Sequence, residues 1–249
     1  MTTDTEKVIE LPSTSKEVSC TMVKIISTMR REVASSGTRN PDTMSPPKKR
    51  NEDWKVTERV SKIWIIGDSY VRRGEEASHE FGKNFGLNAN VQWFGKGGMR
   101  WSGVLPHFYA ELATQSPPDI LVLHAGGNDL GLMSSQELVS VMQRDLMQLH
   151  AEFPSMKIAF SCINERQEWR NGKPWKVNND RKIINSCMRN NIGSLGGEVI
   201  EHPFLRYYDK KIFLPDRVHF TKHGNQVFLT SIRCRLKKIL QRSSPKQPF

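Results

Sequence analysis

The stretch Lys62-Ile63-Trp64-Ile65-Ile66-Gly67-Asp68-Ser69 decides the fold. Ile63 to Ile66 form a short apolar run that ends in the turn residue Gly67. Four further runs share this form: Val91-Gln92-Trp93-Phe94 before Gly95, Asp119-Ile120-Leu121-Val122-Leu123 before Gly126-Gly127, Lys157-Ile158-Ala159-Phe160 after Pro154, and Glu198-Val199-Ile200 after Gly196-Gly197. Short apolar runs bounded by turn residues are the mark of parallel strands buried on both faces. Between them lie stretches with helical spacing. The clearest runs from Ser135 to Phe153, with Leu138, Val139, Met142, Leu146 and Leu149 on one stripe and Ser134 or Ser135 as cap. The last runs from Lys222 to Leu240 and carries Val227, Phe228, Ile232, Leu236 and Ile239. Strands alternating with helices predict βαβ units, hence an α/β domain with a five-stranded parallel sheet covered on both faces.

Outward from this core the composition changes. Residues 1–58 are rich in Thr, Ser, Lys and Glu, and contain Asn40-Pro41-Asp42 and Ser45-Pro46-Pro47-Lys48-Lys49-Arg50. They read as a disordered polar tail, with Met22-Val23-Lys24-Ile25-Ile26 as a short helix start. The domain is expected over 59–241, with a basic C-terminal tail over 242–249. Across 249 residues the net charge is +11 and 37% of residues are hydrophobic, which excludes a fully disordered chain, a collagen or a coiled-coil rod. No apolar run approaches the ~18 residues of a membrane-spanning helix, so no transmembrane segment is expected. The N-terminal residues lack a secretory pattern. Cys20, Cys162, Cys187 and Cys234 are far apart and form no Cys-x-x-Cys pair, so neither a disulfide scaffold nor a metal site is expected. The expectation is a reduced intracellular protein, cytoplasmic; Lys48-Lys49-Arg50 resembles a minimal nuclear-import signal, although three basic residues after Pro-Pro are more often a solvated linker.

In an open parallel sheet, function gathers beyond the carboxyl ends of the strands. Four polar motifs fall there: Gly67-Asp68-Ser69, Gly95-Lys96-Gly97-Gly98, Gly126-Gly127-Asn128-Asp129 and Asp216-Arg217-Val218-His219. Each alone is an ordinary turn or cap. Together they supply what acyl transfer needs: a serine at a sharp strand-to-helix turn, a histidine to take its proton, an aspartate to orient that histidine, and glycine and asparagine donors for an oxyanion. Gly-Lys-Gly-Gly fails the Walker pattern, because no Ser or Thr follows a Gly-Lys.

These four blocks, in this order between residues 63 and 240, resemble the SGNH (GDSL) hydrolase family. The resemblance implies a three-layer α/β/α, flavodoxin-like fold and hydrolysis of esters without a metal or other cofactor. It implies Ser69, Asp216 and His219 as the catalytic triad, and the Ser69 N–H, Gly97 and Asn128 as the oxyanion hole. Gly95 and Gly98 compete with Gly97 for that role. Trp93 to Trp101, Phe213-Leu214-Pro215-Asp216 and His219-Phe220-Thr221 are further similar to the esterase-like domains of vertebrate mobile-element-derived proteins. Two positions depart from the common family pattern: Tyr70 follows the serine where many members have an aliphatic residue, and Gly127 stands where many have Thr.

The implied partner is a small ester substrate. The alternative reading is a catalytically weak or inactive element-derived domain that binds nucleic acid or anionic lipid through a basic surface. Its candidates are Arg233, Arg235, Lys237, Lys238, Arg242 and Lys246, with no acid after Asp216. The segment Asn164 to Asn179, with Trp169, Gly172, Pro174 and Trp175, reads as a long basic and aromatic loop. It is either a lid or phosphate-binding surface, or a loop packed down by its aromatics. Asp68 and Asp129 read as caps or turn-holders. His223, four residues after His219, reads as structural rather than as a metal ligand.

Overall fold

The computed structural model describes residues 59–243. The expected N-terminal tail, with Met22 to Ile26 and Lys48 to Arg50, lies outside the described residues, as do residues 244–249. Strands β1 (Ser61–Gly67), β2 (Ala89–Gly95), β3 (Ile120–His124), β4 (Lys157–Ser161) and β5 (Glu198–Ile200) form one parallel sheet in the order β2-β1-β3-β4-β5. Among the described residues the α-helices are α1 (Ser69–Ser78), α2 (Val104–Leu112), α3 (Ser135–Glu152), α4 (Pro174–Ser194) and α5 (Lys222–Ser243).

Alternate residues of each strand feed two cores. From β1 and β3, Ile63, Ile65, Ile120 and Val122 meet Val71 of α1 and Phe228, Leu229 and Ile232 of α5. Trp64, Ile66, Leu121 and Leu123 meet Val104 and Phe108 of α2, Met142 and Leu146 of α3, and Ile184 and Met188 of α4. Because both faces are covered, the central strands read as unbroken apolar runs rather than alternating ones. Phe228 is fully buried, with aromatic contacts to Tyr70, His124, His202 and Phe220. Phe228→Ala should therefore cost about 3–5 kcal/mol, read as a lower urea midpoint with unchanged slope. A loss below about 1 kcal/mol would mean that α5 does not close this core.

Local signals set the helix ends. Ser134 caps α3 in a capping box, its side chain accepting from the Glu137 N–H while Glu137 reaches back to the Ser134 N–H. Thr221 Oγ1 accepts from the Gly224 N–H at the start of α5. That helix runs three residues past Leu240, so Arg242 and Ser243 are helical. The loop expected over 164–179 ends sooner than the sequence suggests. Pro174 stands in the first turn of α4, where its fixed φ and missing N–H fit a helix start.

The strand order reverses at β1, which has β2 on one side and β3 on the other. The crevice of such a sheet opens beyond the carboxyl ends of these neighbouring strands. Gly67, Gly95 and His124 end their strands level with one another.

Candidate active site

Ser69 opens α1 directly after β1. Asp68 caps this helix, its Oδ1 accepting from the Tyr70 N–H at 2.9 Å. Ser69 is 8 % exposed. Its Oγ lies 3.1 Å from His219 Nε2, and His219 Nδ1 lies 2.7 Å from Asp216 Oδ2. The three residues named from the sequence therefore form one hydrogen-bonded chain, although His219 lies 150 positions from Ser69. With Nδ1–H donating to the carboxylate, Nε2 is left to accept the serine proton.

The Asp216 turn is built from both sides. Phe213 and Phe220, both buried, pair across it as an antiparallel bridge. The Leu214 N–H donates to the His219 carbonyl at 2.8 Å. Asp216 Oδ1 accepts from the backbone N–H groups of Val218 (3.0 Å) and His219 (2.9 Å). Arg217 occupies the left-handed region at φ 61°, and its carbonyl accepts from the N–H groups of Gln167 and Glu168. Desolvation pushes the Asp216 carboxyl up. The hydrogen bonds from the His219 ring and the two backbone N–H groups outweigh it and hold the group at about 2. Asp216 is thus an anion at neutral pH, as a partner for a charged imidazole must be.

The glycine block separates into distinct roles. A Cβ on Gly95 would stand 2.2 Å from the Arg72 backbone nitrogen, so this glycine serves the close approach of β2 to α1. Gly98 takes φ +70° in the turn closed by the Met99 N–H donating to the Lys96 carbonyl. Gly97 is exposed, with open space where a Cβ would stand.

Asn128 sits in the loop after β3. Its Nδ2 donates to the Met99 carbonyl at 3.0 Å and to Asp68 Oδ2 at 3.4 Å, and its Oδ1 accepts from Arg166 at 3.3 Å. Two acceptors on one side and a guanidinium on the other fix which way the amide points. Asp129 accepts from the Trp101 N–H at 2.9 Å, so it holds a turn, as Asp68 holds a cap. His223 is exposed, and among the described residues no three His, Cys, Asp or Glu side chains gather as metal ligands.

Arg166 is the residue that the sequence reading passed over. It is 6 % exposed, lies 3.6 Å from Asp68, and stacks over the rings of Tyr70 (5.2 Å) and Trp169 (4.9 Å). Both departures from the family pattern meet it. Gly127 leaves room for it, since a Cβ there would lie 2.8 Å from its terminal nitrogen. Tyr70 offers its ring, and its hydroxyl donates to the Val218 carbonyl at 2.6 Å, which ties α1 to the His219 turn. Burial pushes the Asp68 carboxyl up to about 6 against the opposing charge of Arg166. Trp169 is packed down under Arg166, whereas Trp175 on α4 is 72 % exposed.

A second serine–histidine contact lies deeper. Ser161 Oγ is 2.9 Å from His124 Nδ1 and 2.8 Å from His202 Nε2. Ser161 has no exposed surface, so no substrate reaches its hydroxyl. Burial first, then the Arg166 charge, pushes His124 down to about 3, and burial also holds His202 well below its ordinary value. Both rings are neutral in the folded chain and take up protons on unfolding below pH 6.5. Stability is therefore greatest above that pH and falls as the pH drops toward the folded values. Asp68, with a raised value, acts in the opposite sense between about 6 and 3.8. Between pH 7.5 and 5.5 each histidine should cost about 1.4 kcal/mol, leaving a net loss on the order of 2 kcal/mol after the Asp68 offset. Melting temperature at these two pH values tests this. An equal or higher value at pH 5.5 contradicts neutral buried imidazoles.

No family model matches this chain, and no curated protein matches it by sequence. Solved structures do match its fold. A lipase/acylhydrolase from Enterococcus faecalis superposes with a TM-score of 0.57 at 18% identity, covering 76% of this chain and 100% of that one. A member of the lipolytic protein G-D-S-L family from Veillonella parvula gives 0.55 at 15% identity, covering 68% and 94%. An acetyl xylan esterase, AlAXEase, gives 0.54 at 20% identity, covering 70% and 99%. These comparisons lend nothing to the mobile-element resemblance, which rests on sequence motifs alone. The five-stranded sheet, its order and its covering helices are those of the SGNH/GDSL-type lipolytic hydrolase fold.

Proposed function

We propose that the chain is a serine esterase of the SGNH type that hydrolyses a carboxylic ester through an acyl-enzyme. The observation that carries this reading is the continuous chain from Ser69 Oγ through His219 to Asp216, at 3.1 and 2.7 Å. His219 Nε2 takes the Ser69 proton as Oγ attacks the ester carbonyl. Asp216 stabilises the imidazolium that forms. The N–H groups of Ser69 and Gly97 and the Asn128 amide donate to the oxyanion. Asn128 has a proton to give, because its 3.4 Å bond to Asp68 is long and a substrate oxygen replaces it. Arg166 and the Met99 carbonyl hold the amide in place for that exchange. His219 then protonates the leaving alcohol, and water, deprotonated by the same ring, releases the acid. The matched lipase/acylhydrolase and acetyl xylan esterase add weight to an ester substrate.

The nucleic-acid or lipid-binding alternative loses part of its basis. Arg233 donates to the carbonyls of Phe85 and Gly86, and Arg235 and Arg242 both pair with Glu198. Three of its basic residues are thus engaged within the fold. The test is hydrolysis of a panel of acyl esters of increasing chain length by the full chain, with Ser69→Ala as control. Turnover by the parent that the variant lacks supports the esterase. Equal rates from both overturn it.

A further inference from the structure

Stability alone is a poor reason for Arg166 to be where it is. The residue is buried, and a buried cation needs close, well-satisfied partners to offset its lost hydration. The carboxylate beside it, Asp68, stands 3.6 Å away, longer than the roughly 2.7–2.9 Å of a charge-assisted hydrogen bond. Its Nε has no partner among the described residues. The hydrogen bond that it donates at 3.3 Å ends on a neutral acceptor, Asn128 Oδ1. Yet the fold makes a seat for it. The rings of Tyr70 and Trp169 flank the guanidinium, and Gly127 leaves the space that its terminal nitrogen fills. Tyr70 and Gly127 are the two positions at which the chain departs from the common SGNH pattern.

The contacts of this seat meet at one atom. Asp68 Oδ2 faces Arg166 Nη2 at 3.6 Å and also accepts from Asn128 Nδ2 at 3.4 Å. Burial, opposed by the Arg166 charge, leaves the Asp68 carboxyl at about 6, so this oxygen belongs to an anion at neutral pH. It is therefore a rival for the same N–H that an oxyanion must receive from Asn128.

We infer that Arg166 is a positioning residue of the ester reaction, which offsets the Asp68 charge and thereby frees the Asn128 amide to donate to the oxyanion. The inference rests on the esterase reading and names a residue that acts through Asn128 without touching substrate. A guanidinium N–H on Oδ1 fixes which end of the amide is the donor. It also draws the amide electrons toward that oxygen, which strengthens the Nδ2 hydrogens as donors. Its positive charge beside Oδ2 weakens the hold of Asp68 on Nδ2.

The test is steady-state hydrolysis by full-chain variants of an ester whose turnover requires Ser69, measured below the melting range of each variant. Arg166→Gln should lower kcat about 10- to 100-fold with KM little changed. Adding Asp68→Asn, which keeps a helix cap and removes the rival charge, should recover most of that loss. In the Asn128→Ala background, Arg166→Gln should cost little further kcat, because its effect passes through the amide. Arg166→Lys keeps the charge but lacks the planar fork, so it should fall between parent and Arg166→Gln, and it takes the place of the glutamine variant in the same comparisons if that variant does not fold. A role confined to stability would move the melting temperature and leave these rate ratios near one. Parental kcat in a folded Arg166→Gln, no recovery on adding Asp68→Asn, or an equal fall in the Asn128→Ala background overturns the inference and leaves the esterase reading standing. A parent chain without Ser69-dependent turnover overturns the esterase reading itself, and this inference with it.

Discussion

Ser69→Ala should lower kcat/KM on any ester that the parent cleaves by roughly 10⁴–10⁶-fold while leaving the melting temperature within about a degree. The two halves of this expectation have separate causes. The hydroxyl is the attacking atom of the proposed reaction, and it is the group that stands 3.1 Å from His219 Nε2. Asp68, not Ser69, caps α1, so removing the hydroxyl costs the helix little. A variant that keeps the parental rate would leave the Ser69 chain as a structural hydrogen bond only. A variant that loses both activity and stability would call for Ser69→Cys, which keeps a nucleophile in the same space.

Asn128→Ala carries the second large effect. Loss of a donor to the developing oxyanion should lower kcat by roughly 10²–10³, about 2.7–4 kcal/mol, with KM little changed. Asn128 also has a structural role, because it bridges Met99, Asp68 and Arg166. Its removal leaves the buried Arg166 with one acceptor fewer, so stability should fall too, by about 1–3 kcal/mol. Kinetics below the melting range, paired with the melting temperature itself, separate the two contributions. A folded variant with near-parental kcat removes Asn128 from the oxyanion hole.

The strands were legible from the sequence because Ile63 to Ile66 and Ile120 to Leu123 are buried on both faces, and nothing but an apolar run survives there. Ser69, Asp216 and His219, whose hydrogen-bonded chain carries the proposed triad, stand out in the sequence because each lies within a motif at a strand end or beside a helix start. Helix α4 was not. Its buried face is Val177, Arg181, Ile184, Asn185, Met188 and Ile192, and the two polar members break the apolar stripe. They are buried for a reason invisible in one dimension: the Asn185 amide pairs with both backbone groups of Ile163, and Arg181 donates to the same carbonyl. Arg166 was hidden in the same way. Its partners Asp68, Tyr70 and Asn128 belong to two other strand ends, and only the assembled sheet brings them to it.

The central claim is that Ser69 is a nucleophile activated by His219. The most direct measurement is reaction of the full chain with an organophosphonate at neutral pH, with the adduct located by mass spectrometry. The account predicts one covalent adduct, on Ser69, absent from His219→Ala. Labelling at another residue, or folded protein that stays unlabelled, would contradict it.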